Sequence, residues 1–320
     1  MIVSTCFWLL FSKKYPKTRK GRKNKKIKLK LFKRSERMEG KKYDEVVCCI
    51  GAGYVGGPTM AVLAQHCVNS KFYVVDIDQK RIDAWNSNEL PIFEPGLQTI
   101  VEQTRNRNLF FSTEVSRCIK EAGIIFIAVN TGTKYYGEGK DHIYDISAFE
   151  AVARSIAKEA DSDKIVVEKS TVPVGTAKQL KQILDLVAAN RAKKQGKEAP
   201  KFEIISNPEF LSEGCAMRDL EDPHRVILGS EKTESGLKAA ERVAALYGAW
   251  IPKEKIITIN TFSSELTKLA GNAMLAQRIS SINSLSVICQ KTVFKKKYSR
   301  KSRKDISFLT KNIFSYILKK

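Results

Sequence analysis

The residues with the clearest chemical spacing are Gly51-Ala52-Gly53-Tyr54-Val55-Gly56. They follow the apolar run VVCCI (46–50) and open a helix-like stretch, which is the context in which a G-x-G-x-x-G loop cradles a dinucleotide. Gly51 permits the tight turn, Gly53 lets a pyrophosphate approach the backbone, and Gly56 lets the helix pack close to the strand. The free N–H groups of a helix N-terminus then face the phosphates. Asp76 ends the next strand-like run, 20 residues beyond Gly56. A carboxylate there accepts both ribose hydroxyls and repels a 2′-phosphate, which favours NAD over NADP. Arg81 is a counter-signal, because a nearby arginine can hold that phosphate. The seven cysteines, at 6, 48, 49, 67, 118, 215 and 289, show no zinc-like or disulfide-like spacing. Cys48 and Cys49 lie in an apolar run and read as buried thiols of a reducing compartment.

Such a loop has to be carried by a sheet. VVCCI (46–50), FYVVDI (72–77), IIFIAVN (124–130), KIVVEKS (164–170), FEIIS (202–206) and RVILG (225–229) are near-continuous apolar runs, as in strands buried on both faces, and KIITIN (255–260) is a further candidate. Helix-like segments at 57–67, 79–86, 96–106, 147–160, 176–190 and 234–247 separate them. Alternation of this kind predicts an α/β fold with a doubly wound parallel sheet. Residues 261–289 then repeat apolar side chains at helical spacing with no proline, which predicts a long helix capped by Thr261 or Ser263, with Glu265 in its first turn. The expected organisation is a basic disordered extension (1–40), a dinucleotide-binding domain (41–260), the long helix (261–290) and a basic tail (291–320).

The net charge of +22 suggests a nucleic-acid binder, but its distribution does not. Residues 1–37 carry 14 Lys and Arg against one acid, and residues 291–320 carry 11 against one. The body between them is near neutral, whereas a nucleic-acid domain places its basic stripe on a folded face. The opening MIVSTCFWLLF is apolar before it is basic, the reverse of a secretory signal, and falls short of the roughly 20 apolar residues of a membrane span. A cytoplasmic protein is expected, with no nucleic-acid or membrane contact by the basic ends.

Longer blocks point further. VVCCIGAGYVGGPT (46–59), AWNSNELPIFEPGL (84–97), NLFFST (108–113), EKSTVPVGTA (168–177), SNPEFLSEG (206–214) and SSELTKLAGNAMLAQRISSINSLS (263–286) resemble the UDP-glucose/GDP-mannose dehydrogenase family, in its UDP-glucose 6-dehydrogenase branch. The resemblance runs from about Val46 to Cys289. It implies a Rossmann-like NAD domain and an oxidoreductase that takes UDP-glucose to UDP-glucuronate in two NAD-dependent steps. The second step runs through a cysteine thioester. By matching motif, Gly51 to Gly56, Asp76 and Arg81 would hold NAD, with Val129, Asn130, Thr131, Gly132, Thr133, Ser170 and Glu213 toward its other end. Glu209 would be the general acid/base, and Thr171 would help hold the catalytic water. Glu209, Phe210, Leu211, Ser212 and Glu213 would form the substrate loop. Lys268, Leu269, Ala270, Gly271 and Asn272 would carry the substrate face of the long helix, with Lys268 and Asn272 catalytic.

Residue chemistry agrees with these roles without requiring them. Lys268 and Asn272 are four apart and share one helix face, where an ammonium and an amide can stabilise an oxyanion. A carboxylate in a cofactor cleft can act as a base. Equally, Glu209 can cap the turn that follows it, and Lys268 can be a solvated lysine. The family's cysteine loop of GFGGSC type and its UDP-binding domain have no counterpart in the sequence. Neither Cys215 nor Cys289 matches the nucleophile, so the expectation is a truncated chain that does not complete the reaction. Gly132 and Gly271 stand where the family usually has proline and alanine. Two other functions compete: an inactive NAD-binding regulatory subunit or decoy, and a basic nucleic-acid or membrane-surface binder. A folded chain is expected to form a homo-oligomer through the long helix.

Overall fold

The continuous apolar run at 46–50 becomes β1 (Glu45–Ile50), a strand with Val47 and Cys49 packed on one side and Cys48 and Ile50 on the other. The structure, a computed structural model, describes residues 42–138, 140 and 144–293, with side chains through residue 288. The expectations for residues 1–40 and for nearly all of 291–320 fall outside the described residues.

After β1 come α1 (Gly56–His66), β2 (Ser70–Val75), α2 (Gln79–Asn86), α3 (Leu97–Thr104) and β3 (Leu109–Ser112). Then follow α4 (Val115–Glu121), β4 (Ile124–Ile127), α5 (Ser147–Glu159), β5 (Lys164–Glu168), α6 (Thr176–Gln195) and β6 (Phe202–Ser206). The last part comprises α7 (Ala216–Glu221), β7 (Val226–Ser230), α8 (Glu234–Tyr247), β8 (Ile256–Asn260) and α9 (Thr261–Val293). The strands form one sheet in the order β3-β2-β1-β4-β5-β6-β7-β8. Side chains of α1, α2, α3, α7 and α8 fill the core on one face, and those of α4, α5 and α6 fill it on the other.

The first six strands are parallel, as the alternating pattern predicts. The last two depart from it. β7 meets β6 antiparallel, through Ser206 and Gly229, and β8 follows β7 in parallel. Between β6 and β7 the only helix is the six-residue α7, and the chain comes back in the opposite direction. Three elements, β3, α4 and α7, are absent from the sequence reading. With 4, 7 and 6 residues they are too short to display a period.

The long helix is present, but its start differs from expectation. Asn260, not Thr261 or Ser263, provides the cap: its Oδ1 accepts the Ser263 N–H at 2.8 Å. Glu265 does not serve its own helix end. Its carboxylate reaches across to α6, where Oε2 accepts Gly175 N at 2.6 Å and Oε1 accepts Ala177 N at 2.8 Å. Helix α6 begins after Gly175 in the left-handed region (φ 95°) with no side-chain cap of its own, so Glu265 satisfies donors that would otherwise be orphaned. Ser264 Oγ donates to Ser206 O at 3.2 Å, and both Ser264 and Glu265 are buried. Beyond this first anchored part, Leu266, Met274, Leu275, Ile279, Leu285, Val287 and Ile288 are exposed. At 1.5 Å per residue the 33-residue helix is about 50 Å long.

Beside this anchor lies a second buried carboxyl, Glu168, at the end of β5. Neither of its oxygens has a hydrogen-bond partner among the described residues. Burial, and then the nearby Glu265 charge, push its pKa well above the usual carboxylate range. A folded-state pKa above the unfolded one stabilises the fold fully below the unfolded pKa, and that stability is lost as pH rises through the folded pKa. Glu168→Gln should therefore gain stability relative to the parent between pH 5 and 8, read as the change in urea midpoint; a pH-independent difference would contradict the uncharged state. Glu265→Ala should lower stability by about 2 kcal/mol through loss of the two charge-assisted cap bonds, measured in the same urea series.

Candidate active site

The dinucleotide-type loop is built by close backbone approach. Gly51 has φ 110°, and a Cβ there would lie 2.4 Å from Ala128 O, so neither the conformation nor the space admits a side chain. A Cβ on Gly56 would lie 2.0 Å from Gly51 O, which is how α1 comes so near β1. Nothing stands within 4 Å of the corresponding position on Gly53, which leaves that peptide open to a ligand. Ala52 is gripped from both sides. Its N–H donates to Asp76 Oδ2 at 2.9 Å, and its carbonyl accepts Trp85 Nε1 at 2.9 Å. Trp85 is itself fully buried and stacked on Phe111.

Asp76 is almost fully buried. Besides Ala52, its Oδ1 accepts Asp78 N at 3.0 Å, and Arg81 Nη1 lies 3.2 Å from Oδ2. Arg81 is therefore committed to the aspartate and offsets part of its charge. Above this loop opens a cavity of about 550 Å³. Its walls come from Ala52, Gly53, Tyr54 and Val55, from Arg81, from Pro91 and Ile92, from Ala128 to Thr131, and from Lys169, Ser170, Thr171 and Glu209. It lies at the carboxyl ends of β1, β4 and β5, where the strand order reverses on either side of β1, the usual ligand crevice of open α/β sheets.

Hydroxyls tie the walls together. Ser170 Oγ donates to Val129 O at 2.6 Å, and Thr131 Oγ1 donates to Thr171 O at 2.5 Å. These bonds lock the segments after β4 and β5 to each other. At the far end, Lys169 Nζ lies 2.8 Å from Glu209 Oε2, and both residues are more than nine-tenths buried. Glu209 Oε1 accepts Phe210 N at 2.6 Å and Leu211 N at 2.9 Å, so the carboxylate also closes its own turn. Lys169 donates to Asn207 Oδ1 at 3.2 Å, which also accepts the Tyr247 hydroxyl at 2.6 Å. Burial alone would push the Lys169 pKa down. The Glu209 carboxylate and the Tyr247 hydroxyl outweigh it, and the ammonium is held above the usual lysine range.

Lys268 is half-buried in α9, with its Nζ 5.3 Å from the Phe210 ring centroid. Burial lowers its pKa; Glu209 opposes that shift and Lys169 reinforces it. Among the site residues expected from sequence, the cavity walls bring together Ala52 to Val55, Arg81, Val129 to Thr131, Ser170, Thr171 and Glu209. Gly51, Gly56 and Asp76 shape the turn behind them. Gly132, Thr133, Phe210 to Glu213 and Lys268 to Asn272 lie outside the walls, and Asn272 is exposed. Sequence reasoning passed over Lys169, although it sits inside the EKST block, because a lysine at a strand end reads as solvated. Cys48, Cys49, Cys67, Cys118 and Cys215 are free. Burial raises the thiol of Cys49 to about 12 and those of Cys67 and Cys118 to about 11. None of the described cysteines lines the cavity.

Comparison with known proteins matches this arrangement. The model of the UDP-glucose/GDP-mannose dehydrogenase family, NAD binding domain, covers residues 45–251, and that of the central domain covers residues 262–296. The chain is 52% identical over 246 residues to UDP-glucose 6-dehydrogenase of Gallus gallus, covering 77% of this chain and 48% of that protein. It is equally identical, over the same length, to UDP-glucose 6-dehydrogenase 1 of Oryza sativa subsp. japonica, covering 50% of that protein. The chain thus spans about half the length of the curated relatives it matches. Among solved structures, a UDP-glucose dehydrogenase from Pyrobaculum islandicum superposes with TM-score 0.65 at 26% identity, over 78% of this chain and 54% of the other. A GDP-mannose dehydrogenase from Pseudomonas aeruginosa gives 0.63 at 25%, over 74% and 51%. With the glycine loop, the Asp76 anchor and the strand order agreeing with a match over most of its length, the chain belongs to the UDP-glucose/GDP-mannose dehydrogenase family, and its cleft is that of the family's NAD binding domain.

Proposed function

We propose that this chain supplies the NAD-binding and acid/base half of a UDP-glucose 6-dehydrogenase, with UDP-glucose as the sugar nucleotide oxidised. The observation that carries the proposal is one cavity with the open Gly53 peptide and the Asp76-anchored loop at one end and the Lys169–Glu209 pair at the other. The residues fit the cofactor: Ala52 to Val55 would meet the pyrophosphate, Asp76 the ribose, and Val129 to Thr131 the opposite end. NAD, when bound, accepts a hydride from the carbon being oxidised. The protein's own part is to orient the substrate and to take up or release the accompanying proton. Glu209 is the carboxylate placed for that proton. Lys169 fixes its orientation, and Lys268, 5.3 Å from the Phe210 ring centroid, supplies positive charge for a developing oxyanion.

The exposed apolar side chains of α9 favour a second copy of the chain packed along that helix. Free, buried cysteines fit a reducing compartment, and a cytoplasmic location is proposed on that ground. No helix among the described residues is long and apolar enough to cross a membrane.

NADH titration followed by fluorescence tests the cofactor assignment. NADH should bind saturably and NADPH much more weakly; equal affinity for the two would remove Asp76 from the proposed role. Asp76→Asn should weaken NADH by about 2 kcal/mol, roughly thirtyfold. For the buried pair, Lys169→Met strands the Glu209 charge and should cost about 3–5 kcal/mol of stability. Adding Glu209→Gln to Lys169→Met should recover part of it. Additive losses in urea denaturation would show that the two side chains do not act as a pair.

A further inference from the structure

Glu94 belongs to none of the roles above, yet it is one of the most committed side chains in the molecule. It lies in the loop between α2 and α3 and is 4% exposed. Its Oε1 accepts the Tyr54 hydroxyl at 2.7 Å and Gly214 N at 2.7 Å, and its Oε2 accepts Ala216 N at 3.0 Å. The Tyr54 hydroxyl also lies 3.1 Å from Ser212 O. Three segments distant in sequence meet here: the glycine loop through Tyr54, the segment whose Pro91 and Ile92 wall the cavity, and the loop after β6 that begins with Asn207 and carries Glu209.

The electrostatics hold this meeting point closed. Burial would raise the Glu94 pKa, but the bonds from Tyr54, Gly214 and Ala216 outweigh it and keep the carboxyl below its usual range. Burial and then Glu94 raise the Tyr54 pKa, so the hydroxyl keeps its proton and remains a donor. The 209–216 loop is thereby fastened at two points. At its start Glu209 is paired with Lys169. At its end two backbone N–H groups rest on Glu94. The glycine loop shares the second fastening through the Tyr54 hydroxyl, which bonds Glu94 at 2.7 Å and meets Ser212 O at 3.1 Å.

We propose that Glu94 is a positioning residue that couples the dinucleotide loop to the 209–216 loop, so that a ligand ordering Tyr54 also orders the loop carrying Glu209. The coupling rests on the proposed binding of a dinucleotide at Gly51 to Gly56, and it makes cofactor occupancy and loop closure mutually reinforcing. By linkage, whatever one site gains from the other is returned in equal measure.

Hydrogen–deuterium exchange on the full chain, with and without saturating NADH, tests this. In the parent, NADH should slow exchange in peptides spanning 210–217 by roughly fivefold or more. In Glu94→Gln, whose amide cannot accept both loop N–H groups, NADH should still saturate by fluorescence but add no protection to those peptides. In Tyr54→Phe, at whatever NADH concentration saturates that variant, occupancy should likewise add no protection to 210–217, since Gly214 and Ala216 keep their acceptor while the hydroxyl link to the glycine loop is gone. A merely structural role would raise exchange in both states and leave the NADH-dependent increment intact, which overturns the proposal. Bound NADH without any effect on 210–217 in the parent overturns it as well. Absence of NADH binding in the parent defeats the cofactor assignment instead. In that case ligand-free exchange decides the link: 51–57 and 210–217 loosening together in both variants sustains it, and loosening of 210–217 alone refutes it.

Discussion

A lysine ammonium removed from water must be answered by a negative charge, and much of this active-site architecture follows from Lys169. It sits one residue past the end of β5, where the chain leaves the sheet beneath the cleft. Its neutralising partner, Glu209, comes from beyond β6, so the loop after β6 is drawn over the end of β5. The neighbouring acceptor, Asn207, is held by Tyr247 of α8 and donates to Ile227 O of β7 at 2.9 Å. The single buried charge therefore fixes the relation of four elements. It also delivers a carboxylate into the cavity in a set orientation. Uncompensated burial of either partner costs several kcal/mol, so the loop has little freedom to drift.

The opposite end of the cleft is held by sterics and by the Asp76 carboxylate, whose charge Arg81 partly offsets. Gly51 and Gly56 admit backbone where side chains would collide, and Asp76 and Trp85 grip the two peptide units that flank Ala52. This end needs shape, because a pyrophosphate is recognised by backbone donors placed at one distance. In the proposed reaction the other end needs charge, because proton movement at a carbon–oxygen bond is governed by the protonation of a particular side chain. The sheet satisfies both demands by bringing the ends of β1, β4 and β5 to one edge. The hydroxyls of Ser170 and Thr131 then stitch the adjacent segments in register.

Features carried by local sequence were readable in advance. The glycine loop, Asp76, the apolar strands and the long helix each declare themselves within a few to some thirty residues. Features carried by distant partners were not. Glu265 looked like a first-turn residue of its own helix, but its partners at Gly175 and Ala177 are about ninety positions away. Glu94 and Lys169 look like ordinary polar residues until the segments they hold are folded against them. The reversed direction of β7 and β8 also escaped. The connection from β6 to β7 is as long as the parallel one from β1 to β2, so its length carries no sign of the reversal, and the short α7 has no period by which to be recognised. The residues assigned by family resemblance divide the same way. Those just after β1, β4 and β5 line the cavity, whereas Lys268 to Asn272 stand on a helix outside its walls, with Lys268 over the Phe210 ring and within electrostatic reach of Glu209.

The division of chemistry within the cleft has a consequence for what the described residues can do together. They provide a carboxylate, the Lys169 ammonium and a bed for a dinucleotide, with the Lys268 ammonium outside the walls, and these are the groups the proposed oxidation would use to orient an alcohol and manage its proton. They provide no thiol nucleophile at the cavity, because the described cysteines lie away from it, and burial holds the thiols of Cys48, Cys49, Cys67 and Cys118 in their protonated form. A covalent thiol step needs a thiolate at the reacting carbon. Such a group would have to enter from outside the described residues, on this polypeptide or on another. The exposed apolar surface of α9 extends beyond the sheet that anchors only its beginning. A further folded body packed along it would bury that surface and could bring the missing group to the mouth of the same cleft.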